Sequence, residues 1–330
     1  MRVDINRGFF VNFFLLLGTL AVLCAITEIT SRLAFPEWRY IWSQGFLQHD
    51  RVLGTYVGKA GYRSRLYSIY GEFDVPVALN HGGFRNPEGA SPEKAGIYCF
   101  GDSFGFGWGV KANEVMCAVS AIRMKIPYFN FSMPATDLTD YFLLIRKNVN
   151  FFPGRNVVVM VTYENDVLSY PEPTAVKTGR LQPAANRVYK WLIENSAFWS
   201  LASSVLQRSA SFVSLVRKLG FLAPSGASTG GERDPIAASI EMLDTMRQMA
   251  AKASRFIIIV VPPRPRMGFS ENFATFVQRL KTRGFETISP QARDGDYFPK
   301  DGHWTAPAHA RVAKMLNEKL NAAGPGKESR

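Results

Sequence analysis

From residue 95 onward, short and strongly apolar runs alternate with longer amphipathic stretches. Buried parallel strands are typically short apolar runs, and the helices that cover them are amphipathic. The runs are Ala95–Phe100, Tyr128–Met133, Val157–Tyr163, Arg255–Pro262 and the weaker Phe285–Ser289. This alternation predicts an α/β fold around a central parallel sheet of about five strands.

The stretches between these runs carry helix start signals. Ser, Thr, Asn or Asp commonly caps the first turn of a helix, and Pro is favoured at its first position. Such residues precede five predicted helices: Glu114–Lys125, Leu138–Asn148, Ile236–Ala253, Glu271–Arg283 and Ala306–Leu320. Five strands with intervening helices predict a three-layer, flavodoxin-like sandwich, in which reaction sites gather at the carboxyl ends of the strands.

An uncharged apolar run near the N-terminus is long enough to cross a membrane. Gly8–Thr27 contains 20 residues without a charge, and at about 1.5 Å per residue such a helix crosses a hydrocarbon core of about 30 Å. Arg2 and Arg7 precede the run, whereas Glu28 and Arg32 follow it, which favours a cytoplasmic N-terminus. We therefore expect a single-pass protein of the bacterial inner membrane whose main domain faces the periplasm or the exterior. A cleaved signal peptide is the main alternative.

Positive charge is concentrated in one part of the sequence. Half of the formal net charge of +12 lies in residues 177–220, where Glu194 is the only acidic residue. In a protein tethered to a bilayer, such a cluster suits anionic headgroups or an anionic polymer, but it is equally typical of a solvated helix face. Nucleic acid is not an expected partner, because an exported domain rarely meets it. The basic residues are Lys177, Arg180, Arg187, Lys190, Arg208, Arg217 and Lys218.

With 47% apolar residues the chain can form a packed core, and its pattern divides it into parts. These are a cytoplasmic stub with the membrane anchor (residues 1–30), a stalk and lead-in (31–93), the main domain (94–322) and a disordered tail (323–330). The main domain contains an insertion at about 170–234, where far fewer residues would connect two parallel strands. Its helical part, Asn186–Leu219, fits a lid, a membrane-facing platform, or a helical pair that covers the sheet edge.

Three cysteines, Cys24, Cys99 and Cys117, are too few for a disulfide framework. Cys24 lies in the N-terminal apolar run, which leaves at most one bridge between the other two. Cys99 falls on a predicted strand and Cys117 on a predicted helix. We expect both to be buried as small apolar residues rather than bonded to each other.

The first predicted strand of the sheet ends in a serine flanked by glycines. The sequence there is Gly101-Asp102-Ser103-Phe104-Gly105. Glycine permits the tight backbone of such a turn, and a serine directly after a strand presents its hydroxyl at the edge where reaction sites gather. Taken alone, Gly-Asp-Ser is also typical of a plain turn.

The loop before the last predicted helix contains a histidine beside a carboxylate. Asp301 precedes His303 by two residues, so its carboxylate can accept the Nδ1 proton of the imidazole and leave Nε2 as a general base. His49 and His81 precede the main domain, and His309 falls inside the last helix, where a structural role is expected. We therefore predict that His303 is the base.

Two further strand ends offer donors for an oxyanion. Asn165 follows the third strand, and its side-chain amide can donate to a developing negative charge. Residues 130–136 follow the second strand and offer backbone N–H groups, that of Ala135 among them. Three successive strand ends and the loop before the final helix thus each supply one part of a site for nucleophilic catalysis.

In this order, the four segments resemble blocks I, II, III and V of the SGNH/GDSL hydrolases. The likeness covers residues 95–320 apart from the insertion. It implies that Ser103 is the nucleophile and donates its own N–H to the oxyanion hole, with Asn165 as the block III asparagine and Ala135 as a further donor. It also implies that Asp301 and His303 complete the catalytic triad.

Three departures from the family pattern are present. Ala135 and Tyr163 stand where blocks II and III have glycine, and block V reads Asp-x-His-Trp instead of the commoner Asp-x-x-His. The Asp-x-His-Trp form is similar to the membrane-anchored branch that includes alginate O-acetylation proteins. The resemblance implies a serine-dependent esterase or O-acetyltransferase that acts on exported or cell-envelope carbohydrate through an acyl-enzyme, with a multi-pass acyltransferase as an expected partner.

Two alternatives remain. Gly101–Gly105 also fits the nucleophile elbow of α/β-hydrolases, but that fold places several strands before the serine. The altered glycine positions also suit a catalytically silent SGNH-like protein that binds polysaccharide or supports an envelope complex. No Gly-rich dinucleotide motif and no histidine–carboxylate cluster with metal-ligand spacing occurs in the sequence, so we expect neither a cofactor nor a metal.

Overall fold

The structure, a computed structural model, describes residues 7–41, 44–167, 188, 191–206, 234–264 and 271–322. The chain forms two compact units, Met1–Gly45 with Thr178–Ser225 and Phe46–Lys177 with Gly226–Arg330. The helices are α1 (Arg7–Ala34), α2 (Ser103–Phe106), α3 (Met116–Met124), α4 (Leu138–Asn148), α5 (Ala197–Leu206), α6 (Pro235–Met249), α7 (Glu271–Thr282) and α8 (Ala306–Asn321). The strands are β1 (Leu47–Asp50), β2 (Thr55–Gly58), β3 (Arg63–Tyr67), β4 (Asp74–Ala78), β5 (Ile97–Phe100), β6 (Tyr128–Asn130), β7 (Asn156–Thr162), β8 (Arg255–Val261) and β9 (Glu286–Ile288).

A five-stranded sheet forms the centre of the larger unit. Its strand order is β6-β5-β7-β8-β9, and every neighbouring pair is parallel. This is the 2-1-3-4-5 order of flavodoxin-like folds, in which ligands bind at the carboxyl edge where the strand order reverses. In this chain that point lies between β5 and β7.

Helices cover both faces of the sheet. Helices α4, α6 and α7 share one buried core with Phe100, Val159 and Ile258. Helices α3 and α8 share the other core with Val158 and Ile257. Because both faces are covered, the strands read as uninterrupted apolar runs, and the predicted three-layer α/β fold is confirmed.

Two antiparallel hairpins, β1–β2 and β3–β4, belong to the larger unit. Val57, Leu66 and Val77 from these hairpins are buried in the same core as one face of the sheet. The larger unit therefore begins at Phe46, and the boundary that the sequence suggested near residue 94 falls inside it. The predicted stalk and lead-in, residues 31–93, is divided between the two units.

Cys99 and Cys117 form a disulfide, contrary to the expectation from sequence. Both residues are buried, as expected, but α3 packs directly on β5 and brings their Cα atoms to 6.3 Å. That separation is within the usual range for a disulfide. The bond links the strand that leads into the Ser103 turn to the helix that covers it.

The smaller unit contains α1, a 3-10 helix at Pro36–Tyr40, and α5. Among the described residues, Phe10–Ala34 is the helix that is long and apolar enough to cross a membrane. Of the predicted insertion, residue 188 and residues 191–206 are described. The rest of the insertion and the predicted tail at 323–330 lie outside the described residues.

Candidate active site

Strand β5 leads into a tight turn that presents Ser103. Asp102 caps α2, because its carboxylate accepts the N–H of Phe104 at 2.9 Å. Ser103 is therefore the first residue of a short helix, and its own N–H has no acceptor within that helix. The side chain of Ser103 is half-buried at the carboxyl edge of the sheet.

Gly105 allows α2 to pack against the chain that follows β6. A Cβ atom at this position would lie 2.3 Å from the Oγ of Ser132 and 2.8 Å from its Cβ. Any other residue would push the two segments apart. The glycine two residues after Ser103 is thus required by packing.

The structure brings together Ser103, His303 and Asp301. The Oγ of Ser103 lies 2.7 Å from Nε2 of His303, although the two residues are 200 positions apart. The Nδ1 of His303 lies 2.5 Å from a carboxylate oxygen of Asp301. A hydroxyl, an imidazole and a carboxylate in this order form the chain of hydrogen bonds that activates a serine.

Glu72 holds the backbone of the loop that contains Asp301. Its two carboxylate oxygens accept the N–H groups of Lys300 at 2.6 Å and Asp301 at 2.9 Å. The neighbouring Phe73 packs on Phe298, with ring centroids 5.1 Å apart. Glu72 could not be identified from the sequence, because it lies in the turn between β3 and β4, 228 residues from Lys300, and no local motif marks it.

Asn165 lies in a single π-helical turn, Tyr163–Val167, that follows β7. Its Nδ2 donates to the Asp102 carboxylate at 3.1 Å, which ties the end of β7 to the Ser103 turn. Burial raises the pKa of Asp102, while the hydrogen bonds from Phe104 and Asn165 act in the opposite direction. The same turn buries Asp166, which accepts the N–H of Thr162 at 2.8 Å.

Ala135 adopts a left-handed backbone conformation with φ of 62°. The segment around it is fixed to the Ser103 turn, because the N–H of Met133 and the hydroxyl of Thr136 both donate to the carbonyl of Gly101, at 3.0 and 3.4 Å. Within the part of the chain that is described, the N–H of Ala135 has no acceptor. No hydrogen bond joins Ala135 to Ser103 in the part of the chain that the structure describes.

A cavity of about 140 Å³ opens beside the imidazole of His303. This is well below the roughly 300–1,000 Å³ of pockets for drug-sized ligands, so it suits a small chemical group. Gly302, with φ of 89°, lies against the guanidinium of Arg264. A Cβ atom at residue 302 would be 2.1–2.5 Å from the atoms of that guanidinium. The lining residues include Phe104, Asn165, Arg264, Tyr297, Gly302 and His303.

The other histidines lie elsewhere. His309 is buried, its Nδ1 accepts the N–H of Met116 at 3.2 Å, and burial lowers its pKa to about 3. It is therefore a neutral structural residue at ordinary pH. His49 lies in β1, and His81 is exposed and pairs with Glu88.

No protein-family model and no curated protein matches this chain. Solved structures resemble it at low identity. One is a protein assigned to the lipolytic G-D-S-L family from Desulfitobacterium hafniense DCB-2, with 11% identity and a TM-score of 0.41, over 68% of this chain and 98% of that one. Another is TesA, with 12% identity and a TM-score of 0.41, over 68% and 97%.

A third is a family two carbohydrate esterase from Clostridium thermocellum in complex with cellohexaose, with 10% identity and a TM-score of 0.39, over 74% of this chain and 66% of that one. The structural neighbours are thus GDSL lipolytic proteins and carbohydrate esterases. At these identities and TM-scores, the similarity concerns the fold alone.

Proposed function

We propose that this protein is a serine-dependent esterase or O-acetyltransferase of the SGNH type, with Ser103 as nucleophile and His303 as general base. The observation that carries the proposal is the continuous chain of contacts from the Ser103 hydroxyl through the His303 ring to the Asp301 carboxylate. Asp301 accepts the Nδ1 proton and thereby holds the imidazole with Nε2 toward the serine.

In the proposed reaction, the Oγ of Ser103 attacks the carbonyl carbon of an ester while Nε2 of His303 takes the hydroxyl proton. The bond from that carbon to the alcohol oxygen then breaks, and His303 returns the proton to the departing alcohol. Water or a second hydroxyl attacks the acyl-serine and gives its proton to His303. The proton returns to Ser103 when the acyl group leaves.

Negative charge on the carbonyl oxygen needs hydrogen-bond donors in both steps. We assign this role to the N–H of Ser103, the N–H of Ala135 and the side-chain amide of Asn165. An amide NH₂ group has two donors, and Asp102 accepts only one of those of Asn165. Each donor of this type is worth about 10²–10³ in kcat.

The proposed substrate is a short acyl ester, such as an acetyl ester, of exported or cell-envelope carbohydrate. The small cavity beside His303 favours a small acyl group, and α1 would hold the larger unit at a membrane surface. The proposed location is the bacterial inner membrane, crossed once, with the larger unit on the periplasmic or outer side. If a carbohydrate hydroxyl replaces water in the second step, the reaction is acyl transfer, and a multi-pass acyltransferase is the proposed partner.

Substitution of Ser103 and His303 tests the proposal. Ser103→Ala and His303→Ala in the full chain are each expected to lower turnover of an aryl acetate by about 10⁴-fold or more. Ser64→Ala in β3 and His81→Ala serve as matched controls, because neither side chain belongs to the site. Thermal unfolding verifies that all four variants fold.

Two outcomes separate the alternatives. If both site variants keep the activity of the unaltered chain, the catalytic role is wrong, and a binding or assembly role in an envelope complex takes its place. Mass analysis of an oligosaccharide added to the assay separates transfer, which adds the acyl group to it, from hydrolysis, which releases the acid.

A further inference from the structure

The start of α5 is fixed to the last part of α1. The carboxylate of Glu28 accepts the N–H groups of Ala197 at 2.9 Å and Phe198 at 3.2 Å, and the hydroxyl of Ser196 at 2.8 Å. The first N–H groups of a helix have no acceptors inside it. Glu28 therefore caps α5 from another helix, a role that usually belongs to a residue just before the helix.

A second residue of α1 strengthens this connection. Arg32 lies one helical turn after Glu28, pairs with its carboxylate at 2.7 Å, and donates to the carbonyl of Asn195 at 2.6 Å. The guanidinium of Arg32 also lies 5.1 Å from the ring centre of Trp38. The position of α5 along α1 is thus set by charged hydrogen bonds.

The two faces of α5 differ in the size and polarity of their side chains. Ala197, Ser200, Ser203 and Ser204 are buried, and the hydroxyls of Ser203 and Ser204 donate to carbonyls of their own helix. Large apolar residues lie on the exposed side, and Trp191, six residues before the helix, is also exposed. Their exposed fractions are 47% for Phe198, 57% for Val205, 36% for Leu206 and 60% for Trp191.

These observations have one common physical explanation. Glu28 is the first residue after the 20-residue uncharged run that would cross the hydrocarbon core. Because the first residues of α5 bind the Glu28 carboxylate, α5 begins at the depth of the lipid headgroups. Tryptophan is enriched at that depth, and exposed apolar side chains are stable there. Lys190 and Arg208 flank the described segment in sequence, and Glu194 is the only acidic residue of 177–220.

From this we infer that α5 lies on the outer surface of the bilayer that α1 crosses, with Phe198, Val205 and Trp191 in contact with anionic lipid. The inference rests on the membrane location proposed above and gives the insertion a role: it is a second point of attachment. Attachment at two points restrains the orientation of the smaller unit in the bilayer more than a single helix can. In sequence, residues 177–220 carry an excess of basic residues, and such an excess favours anionic over neutral lipid.

Site-directed fluorescence in vesicles tests the inference with the full chain. Cys24 is the free cysteine among the described residues, because Cys99 and Cys117 are bonded, so an environment-sensitive dye on the unaltered protein reports from α1. A Cys24→Ala, Phe198→Cys variant carries the same dye on α5. A Cys24→Ala, Val52→Cys variant is the control for unspecific adsorption, because Val52 is an apolar residue of the larger unit that is 84% exposed.

The three labelled proteins are reconstituted in vesicles of phosphatidylcholine with or without phosphatidylglycerol, and nitroxide-bearing lipids serve as quenchers. We expect strong quenching of the dye at residues 24 and 198, with at least twofold more quenching at 198 when phosphatidylglycerol is present, and little at 52. Quenching at 24 without quenching at 198 overturns the inference. A blue-shifted but unquenched dye at 198 also overturns it, since a second copy or another protein then covers α5. Absence of quenching at 24 refutes the proposed membrane location itself.

Discussion

At the scale of single residues, Ala135 carries a backbone conformation that costs free energy. A non-glycine residue with positive φ is disfavoured by about 1–2 kcal/mol, whereas glycine adopts it without that penalty. Glycine also loses more conformational entropy on folding, which offsets part of the gain. Alanine has the same backbone N–H donor as glycine, which the proposed mechanism needs. The unfavourable φ of Ala135 is therefore expected to lower the stability of the fold and not the activity.

Ala135→Gly is therefore expected to leave the free energy of unfolding unchanged or to raise it by up to about 1 kcal/mol. Urea unfolding of the full chain in detergent measures this. The matched control is Ala112→Gly, at an exposed position in the 3-10 helix Ala112–Glu114, where a loss of about 0.5–1 kcal/mol is expected. A loss at 135 as large as that at 112 would contradict the argument.

The buried carboxyl group of Asp166 predicts a dependence of stability on pH. Burial and the nearby Asp102 carboxyl raise its pKa well above the ordinary value, so the folded chain keeps a proton that the unfolded chain releases above about pH 3.9. The contribution of Asp166 to the free energy of unfolding is therefore largest below that pH. It decreases as the pH rises toward the pKa of Asp166 in the folded protein. Asp166→Asn, whose amide matches the contacts to Thr162 and the Tyr141 hydroxyl, removes this titration.

As the pH rises from 4 to 7, the free energy of unfolding of Asp166→Asn is expected to increase relative to that of the unaltered protein. The difference grows by at most about 1.4 kcal/mol per pH unit. Urea titrations at four pH values give the two curves. Curves that stay parallel over this range would show that Asp166 ionises in the folded protein as it does in the unfolded chain.

The residues that the sequence singled out lie where reactive side chains and strand ends coincide. Ser103, Asn165 and His303 follow recognisable strands or loops, and the structure places their elements at one edge. Their catalytic roles are predictions, which the Ser103 and His303 variants test. Asp102 and Glu72 could not be found in this way, because their importance comes from hydrogen bonds to backbone groups that only the folded chain brings near them.

At the scale of elements, the β3–β4 hairpin acts on the site through Glu72. Glu72→Ala removes the acceptor of two N–H groups and lets the 300–303 loop shift. A displacement of about 1 Å can cost about 10²-fold in rate. We expect kcat for an aryl acetate to fall by about 10–100-fold with KM changed less than threefold.

Glu72→Gln retains one acceptor oxygen and should recover part of the lost kcat, which a purely structural role would not predict. Asp74→Asn in the same hairpin, which alters an exposed pair with Arg65, is the matched control and should change kcat less than twofold. Unaltered kcat in Glu72→Ala would exclude a positioning role for this residue.

The strands of the sheet were predictable and the role of the hairpins was not. Strands covered on both faces are continuous apolar runs, so β7 and β8 stand out in the sequence. In β4, by contrast, buried Val75 and Val77 alternate with exposed residues, and β3 is rich in arginine. Short alternating strands of this kind indicate a sheet but not which core they join.

At the scale of the whole molecule, the disulfide joins the central sheet of the larger unit to one of the two helical layers that cover it. A bridge between residues 18 positions apart stabilises a fold by about 3 kcal/mol in the chain-entropy account. The double variant Cys99→Ala, Cys117→Ala is expected to lose about that free energy of unfolding in urea titrations. Cys24→Ala, outside this unit, should leave it within about 0.5 kcal/mol. A loss below 1 kcal/mol for the double variant would show that the bond adds little to packing.

The disulfide also bears on the compartment. Such bonds persist in oxidising environments and are rare in the cytosol, which supports the proposed periplasmic or outer location. The sequence could not reveal the bond, since buried free cysteines and bonded ones occupy the same kinds of apolar position. Only the packing of α3 on β5 distinguishes them.

The contact between Glu72 and the Lys300–Asp301 backbone limits how the protein can be shortened for biochemical work. A fragment starting at residue 94 would keep every strand of the parallel sheet and the serine, histidine and aspartate, yet it would lack the acceptor that shapes the loop between Phe298 and His303. It would also expose the Phe298 ring that Phe73 normally covers. A truncation that removes the anchor and keeps the proposed site complete must therefore be cut before Phe46, where the larger unit begins.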